Sequence, residues 1–296
     1  MEKVKVGIIG TGNVGTDLLI KVLRSSVLTC GIFTGVDRES EGIRLAESMG
    51  VATSCESIRA IESSPDLCDI VFDATSAAFH LQHAPVLKRM RKYTIDLTPS
   101  HVGRMCIPAI NMAECLEESN VNLISCGGQA AVPIAYAIMK THPETEYIEV
   151  VSSMSSRSAG PGTRANIDEF THINKEAIMA FTSVSKAKSI FILNPAEPPV
   201  DMNNTIYAKI AKPDIDNLTN NIVAMAKKIK SYVPGYYVAL GPVFENGRVT
   251  TMIKVIGSGD FLPKYAGNLD VISCAAVKVA EEYAHRKIRK GEVANG

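Results

Sequence analysis

The feature that most constrains the fold is a glycine pattern set directly behind a short apolar run. Val4–Ile9 is mainly apolar, Gly10-Thr11-Gly12-Asn13-Val14-Gly15 follows at once, and Val14–Arg24 then shows helical spacing. A GxGxxG string alone is weak, because glycine is common in any chain. Its place between a strand and a helix gives it meaning. The glycines permit a tight turn, close approach of backbone to a pyrophosphate and close helix–strand packing, while N–H groups at the helix start face the anion. Asp37 lies 22 residues past Gly15, after the second apolar run. That spacing suits a carboxylate hydrogen-bonded to the adenosine ribose of NAD, and such a carboxylate repels the 2′-phosphate of NADP. An ordinary turn aspartate also fits the position.

The first half of the chain alternates apolar runs with helical periods. Val4–Ile9, Thr29–Val36, Asp69–Ala74, Tyr93–Leu97 and Val121–Ser125 read as buried parallel strands. Val14–Arg24, Glu41–Met49 and Ala77–Arg91 read as the helices between them. Such alternation predicts a doubly wound α/β sheet. Beyond a boundary near residue 126 the pattern changes. Strands are expected at Glu146–Met154, Ser189–Leu193, Thr205–Ile210, Tyr236–Leu240 and Val249–Ile256, and helices at Gln129–Met139, Asn166–Phe181 and Asp214–Tyr232. The turn Glu245-Asn246-Gly247-Arg248 suggests a hairpin in a mixed or antiparallel second sheet. Gly267–Arg289 reads as a long closing helix whose basic end complements its dipole. The expected domains are 1–126, completed by a helix over 267–290, and 127–266.

Composition narrows the function classes. The 296 residues carry 31 basic and 31 acidic side chains, which argues against broad affinity for nucleic acid or acidic membranes. The apolar fraction of 46% is ample for a full core, and neither the charge content nor the glycine and proline content describes a disordered chain. The apolar start is too short for a signal-peptide core, and the most apolar long window, Val121–Met139, is broken by Asn122, Cys126-Gly127-Gly128-Gln129 and Pro133. Seven scattered cysteines without a CxxC fit free thiols in a reducing cytoplasm. No metal site is expected. His80 and His83 share a helix face but lack the third and fourth ligands.

Two segments carry chemistry. Cys126-Gly127-Gly128-Gln129 falls where a strand ends and a helix begins. There the helix dipole favours a thiolate, and two glycines leave room for a substrate and expose N–H groups for a developing oxyanion. A buried, inert cysteine fits the placement equally well; Cys30 and Cys274, within apolar runs, read as core. The second segment is Ser158-Ala159-Gly160-Pro161-Gly162-Thr163-Arg164-Ala165-Asn166, a glycine-rich loop before a helix. Its N–H groups and the Arg164 guanidinium suit an anion, and a purely structural loop fits as well. Asn194-Pro195-Ala196-Glu197-Pro198-Pro199 reads as a rigid crossing segment. A nucleotide fold with one well-placed thiol points to aldehyde oxidation through a cysteine thioester.

These residues resemble the acylating acetaldehyde dehydrogenases, the CoA-dependent enzymes that partner hydroxy-oxovalerate aldolases in bacterial meta-cleavage of aromatic compounds. The similarity runs from Lys5 to Ala284. It is carried by Cys126 through Ala130, Ser158 through Glu169, Asn194 through Pro199, and Tyr265-Ala266-Gly267-Asn268-Leu269-Asp270. The resemblance implies a Rossmann domain followed by an α/β domain similar to that of glyceraldehyde-3-phosphate dehydrogenase. It implies Cys126 as the acyl-thioester nucleophile. NAD would be held by Thr11, Gly12, Asn13 and Val14, with the Ser158–Asn166 loop and Asn268 completing the site. It further implies CoA as acyl acceptor, a homodimer, and an aldolase partner that delivers acetaldehyde through an internal channel.

One position departs from the family. Where it reads Met-Arg-Asp-Thr, with that aspartate as the proposed acid–base group, this chain reads Met202-Asn203-Asn204-Thr205. Asparagine takes no proton at neutral pH but orients a water or a thiol by hydrogen bonding. Asp201 is no substitute if the stretch is a strand, because residues three apart face opposite ways. His101 and His172 match no functional position of the family. Two alternatives stay open: a phosphorylating semialdehyde dehydrogenase on the same fold, and a dinucleotide-binding subunit without catalysis.

Overall fold

The structure, a computed structural model, describes residues 3–291, so residues 1–2 of the first expected domain lie outside the described residues. Elements follow in the order β1 (Val4–Ile9), α1 (Asn13–Arg24), β2 (Leu28–Thr34), α2 (Glu41–Ser48), β3 (Thr53–Ser54), α3 (Ile58–Ser63), β4 (Ile70–Asp73), α4 (Ala77–Arg89), β5 (Tyr93–Asp96), β6 (Arg104–Met105), α5 (Pro108–Cys115) and β7 (Asn120–Asn122). Then come α6 (Cys126–Thr141), β8 (Tyr147–Ser155), α7 (Pro161–Ala165), α8 (Ile167–Thr182), β9 (Lys186–Asn194), β10 (Met202–Lys209), α9 (Ile215–Lys230), β11 (Tyr236–Glu245), β12 (Arg248–Val255) and α10 (Gly267–Arg289). The chain divides into two compact units: residues 1–123 with 273–296, and residues 124–272. The helix α10 starts in the second unit and ends in the first.

Unit 1 is built on a seven-stranded sheet in the order β3-β2-β1-β4-β5-β7-β6, with every pairing parallel. Each of its strands β1, β4 and β5 is buried almost throughout, as expected when helices cover both faces. Chain order reverses between β1 and β4. In open α/β sheets, the crevice beyond the strand ends at such a reversal is where ligands bind. The helix α1 buries Leu18, Leu19 and Val22 and keeps Lys21 and Arg24 in its last turn, suited to the negative end of its dipole.

Unit 2 carries a mixed sheet in the order β11-β12-β10-β8-β9, antiparallel except for the β8–β9 pair. Asn246 and Gly247, both with positive φ, form the two-residue turn of the β11–β12 hairpin. Along β10 the even-numbered residues Met202, Asn204, Ile206 and Ala208 are buried, while Asn203, Thr205 and Tyr207 are half-buried. The buried face packs under α6, which is itself covered by α8 and α9.

Several local expectations need correction. The helix α6 begins at Cys126 rather than Gln129, because Ser125 caps it ahead of a glycine pair that does not look helical. The helix expected over Asn166–Phe181 is α8, and the short helix α7, which precedes it and ends at Asn166, was not expected. The short elements β3, α3, β6 and α5 carry too few residues to show a period. Cys30 and Cys274 are half-buried rather than core, whereas Cys68, Cys106 and Cys115 are buried.

Candidate active site

In the first glycine loop, each glycine does a different job. Gly10 holds φ at +110°, and a methyl group there would fall 2.5 Å from the Ala74 carbonyl oxygen. At Gly15 a methyl would fall 1.8 Å from the Gly10 carbonyl oxygen, so α1 packs onto its own turn. Gly12 faces open space and begins α1 without a side-chain cap, and the first turn holds no acidic residue. The leading N–H groups of Asn13, Val14 and Gly15 therefore lack carbonyl partners within the helix and suit an anion. This cradle fits a dinucleotide pyrophosphate. Thr11 is fixed by a hydrogen bond from Ser40 Oγ at 3.0 Å, and Gly35 and Gly42 press so closely on Thr11 that neither admits a side chain. Gly35 falls inside the strand expected over Thr29–Val36 but just past the observed β2, and nothing in the sequence marked it, Ser40 or Gly42. Asp37 is exposed, and its Oδ1 accepts from the Glu39 N–H at 2.9 Å.

In unit 2, Cys126 is the first residue of α6. The cap is Ser125, whose Oγ accepts from the Gly128 N–H at 2.8 Å and donates to Asn174 Oδ1 at 3.3 Å. Just before it, Ile124 holds φ at +66°, a left-handed conformation that costs a β-branched residue on the order of 1–3 kcal/mol. The two glycines after the thiol are packed tight rather than open. A methyl at Gly127 would fall 2.7 Å from Ser152 Oγ, and one at Gly128 would fall 2.8 Å from Asn174 Oδ1. The expected room for a substrate is thus filled by protein at those two positions, and the Gly128 N–H is spent on the cap. Burial pushes the Cys126 thiol up to about 11, although the backbone N–H groups of Gly127 and Cys126 pull it the other way. Burial thus outweighs the backbone, and the thiol is raised rather than lowered as the helix start led one to expect.

Asn204 lies opposite Ser152 in the β8–β10 register and is fully buried. Its Oδ1 accepts from Ser152 Oγ at 2.6 Å, and its Nδ2 has no hydrogen-bond partner. Through Ser152 it touches the backbone wall beside Gly127. Asp201 instead pairs with Lys254 at 3.3 Å, and Lys254 stands opposite Asn203, so this carboxylate belongs to the other face. Asn268, at the start of α10, is buried with its Oδ1 lacking a donor. Buried polar atoms are nearly always paired, so the single unsatisfied atom of each of these amides stands out.

The second glycine loop is largely self-contained. Arg164 donates from Nη2 to the Ser156 carbonyl at 2.7 Å and to Ser156 Oγ at 2.9 Å, and from Nε to the Ala159 carbonyl at 3.1 Å. Most of the guanidinium thus pins the loop. Ser158 donates to the Ser155 carbonyl and Asn166 to the Gly162 carbonyl. Pro161, Gly162 and Thr163 form the first turn of α7 after Gly160, with Gly162 facing open space. His101 is exposed, and His172 is an exposed residue of α8 paired with Glu176. His80 and His83 are both buried against Asp73, an arrangement their spacing alone did not reveal.

Comparison with known proteins gives concordant results. Residues 126–263 match the family described as prokaryotic acetaldehyde dehydrogenase, dimerisation. Residues 5–118 match the semialdehyde dehydrogenase NAD binding domain. The chain is 52% identical over 282 residues to an acetaldehyde dehydrogenase of Pectobacterium atrosepticum, covering 95% of each chain. It is 49% identical to one of Spirochaeta aurantia, covering 96% of this chain and 95% of that one. A relative of the same name from Geobacillus stearothermophilus is 48% identical, covering 97% and 98%. Among solved structures, aspartate semialdehyde dehydrogenase II of Vibrio cholerae superposes with a TM-score of 0.64 over 97% of this chain and 99% of that one. At 13% identity, that likeness speaks for the fold alone.

Proposed function

The chain belongs to the prokaryotic acetaldehyde dehydrogenase family, and from that premise we propose that Cys126 carries the acyl group through the reaction. The protein is an NAD-dependent acylating oxidoreductase. The observation that carries the assignment of Cys126 is its place as first residue of α6, behind the Ser125 cap.

The Cys126 thiol loses its proton, and Sγ bonds to the carbonyl carbon of acetaldehyde to give a thiohemiacetal. Bound NAD supplies the acceptor for the hydride that leaves this carbon. Loss of the hydroxyl proton leaves an acetyl thioester on Cys126. The thiol of CoA then attacks the thioester carbon, surrenders its proton and departs as acetyl-CoA, restoring the enzyme thiol. The N–H groups of Cys126 and Gly127 stabilise sulfur when it is charged. Asn204 moves no proton; its free Nδ2 donates to a water or to the reacting oxygen. The Gly10–Gly15 loop takes the cofactor pyrophosphate and Asp37 the adenosine ribose.

Unit 2 carries the dimerisation domain of the family, so the protein assembles as a dimer. A hydroxy-oxovalerate aldolase as source of the aldehyde, in cytoplasmic breakdown of aromatic compounds, completes the proposal. Among the described residues, no helix is long and apolar enough to cross a membrane. The test is NADH formation from acetaldehyde and NAD by the purified protein. Sustained turnover that needs CoA and yields acetyl-CoA is expected; turnover that needs inorganic phosphate instead would replace this reading with acyl-phosphate formation.

A further inference from the structure

At the strand ends of unit 1 lies a buried polar cluster that neither the thioester chemistry nor the glycine pattern explains. Asp73 and Asp96 are the last residues of β4 and β5, stand opposite each other in register, and are both fully buried. Asp73 Oδ2 accepts hydrogen bonds from the Nδ1 atoms of His80 and His83, each at 2.8 Å. Both imidazoles come from α4, three residues apart on one face, and both are buried. Asp73 Oδ1 accepts from the hydroxyl of Thr75 and from its N–H at 3.2 Å. His80 Nε2 lies 3.0 Å from Asn120 Nδ2 and 3.5 Å from Asp96 Oδ2, so the imidazole stands between two buried carboxylates. Burial would push the Asp73 carboxyl up, yet the hydrogen bonds and charge of His80 and His83 hold it well below the usual carboxylate range. Asp73 is therefore an anion with four donors, locked on every side.

What this lock secures is the turn between β4 and α4. The Ala74 N–H donates to the Ile9 carbonyl at 2.8 Å, directly beside the glycine loop. A methyl at Gly10 would fall 2.5 Å from the Ala74 carbonyl oxygen and 3.3 Å from the Thr75 nitrogen, so Gly10 rests on this turn without a gap. The contact lies at the reversal of strand order between β1 and β4. We propose that His80 and His83 are positioning residues for the dinucleotide site: by orienting Asp73 they hold Ala74 and Thr75 as the wall that sets the Gly10–Gly15 loop. The inference rests on the reading that this loop binds NAD. Neither histidine touches the cofactor in this account.

The experiment measures NAD affinity directly, by calorimetry, together with KM for NAD, KM for acetaldehyde and kcat. His83→Phe keeps the ring and loses the donor; His83→Asn keeps a donor near the Nδ1 position; Thr75→Val removes only a half-buried hydroxyl and decides the matter should His83→Phe fail to fold. Displacing a supporting wall by a fraction of an ångström is expected to weaken NAD binding about tenfold in His83→Phe and Thr75→Val. The KM for acetaldehyde and kcat at saturating NAD stay within about twofold, and His83→Asn stays near wild type. Simple loss of stability would reduce the active fraction without this split. Unchanged NAD affinity in the folded donor-lacking variants, or His83→Asn as weak as His83→Phe, overturns the proposal. Gly12→Val serves as control: if it binds NAD like wild type, the underlying reading of the glycine loop fails instead.

Discussion

At the scale of single residues, protonation decides how fast the site works. With its thiol pushed up to about 11, Cys126 is almost wholly protonated near neutrality, and roughly one molecule in a thousand holds a thiolate at pH 8. A thiol raised in this way gains its reactive form as pH rises, so kcat/KM for acetaldehyde should climb close to tenfold per pH unit from 7 to 9. A plateau below pH 8 would contradict that sign. Asn204→Asp should replace the partnerless Nδ2 with a carboxylate oxygen beside Ser152, where burial raises the new carboxyl toward the range of a useful base. The expected result is a rate at pH 7 about tenfold or more above wild type, with a flatter pH profile; an unchanged rate and profile would mean that a carboxylate at this position takes no part in proton transfer. Cys126 drew attention in the sequence as a thiol before two glycines, and Asn204 only through the resemblance to a family that carries an acid there. The Asp73–His80–His83 cluster was not, since its members come from two elements that meet only in the folded sheet. The spacing of two histidines on a helix says nothing about the carboxylate they share.

At the scale of elements, α6 shows how the thiol is held still. It contains Pro133, which cannot donate to the Gln129 carbonyl, and it is anchored by Tyr236, whose hydroxyl donates to the Ala130 carbonyl at 2.8 Å. Tyr236 is fully buried at the start of β11, and burial pushes its hydroxyl well above the ordinary range, so it serves as a donor throughout the working pH. Removing that hydroxyl in Tyr236→Phe should cost about 1 kcal/mol, read as a lower urea midpoint, with kcat nearly unchanged. A fall in kcat with the midpoint intact would mean that Tyr236 serves the chemistry rather than the helix. Long elements such as α1, α9 and β12 declared themselves by period. The start of α6 did not, because its glycine pair breaks the helical pattern. Only Ser125, a side chain that caps through space, reveals that the helix already begins at the cysteine.

At the scale of the whole molecule, the alternation of strands and helices in the first half fixed a parallel sheet, and the hairpin turn at Asn246-Gly247 pointed to the antiparallel part of the second. The parallel β8–β9 pair left no such trace, since a connection through α8 looks locally like any other helix between strands. Unit 1 contains the stretch that matches the semialdehyde dehydrogenase NAD binding domain, and unit 2 the stretch that matches the dimerisation family, with the capped Cys126 at its start. The central claim is that oxidation leaves the acyl group on Cys126. Its most direct measurement is mass spectrometry of the protein mixed with acetaldehyde and NAD in the absence of CoA. The expected result is a burst of NADH stoichiometric with active sites, one acetyl group on the peptide bearing Cys126, its release as acetyl-CoA when CoA is added, and neither burst nor label in Cys126→Ala. A full burst in Cys126→Ala, or a label on another cysteine, would contradict it.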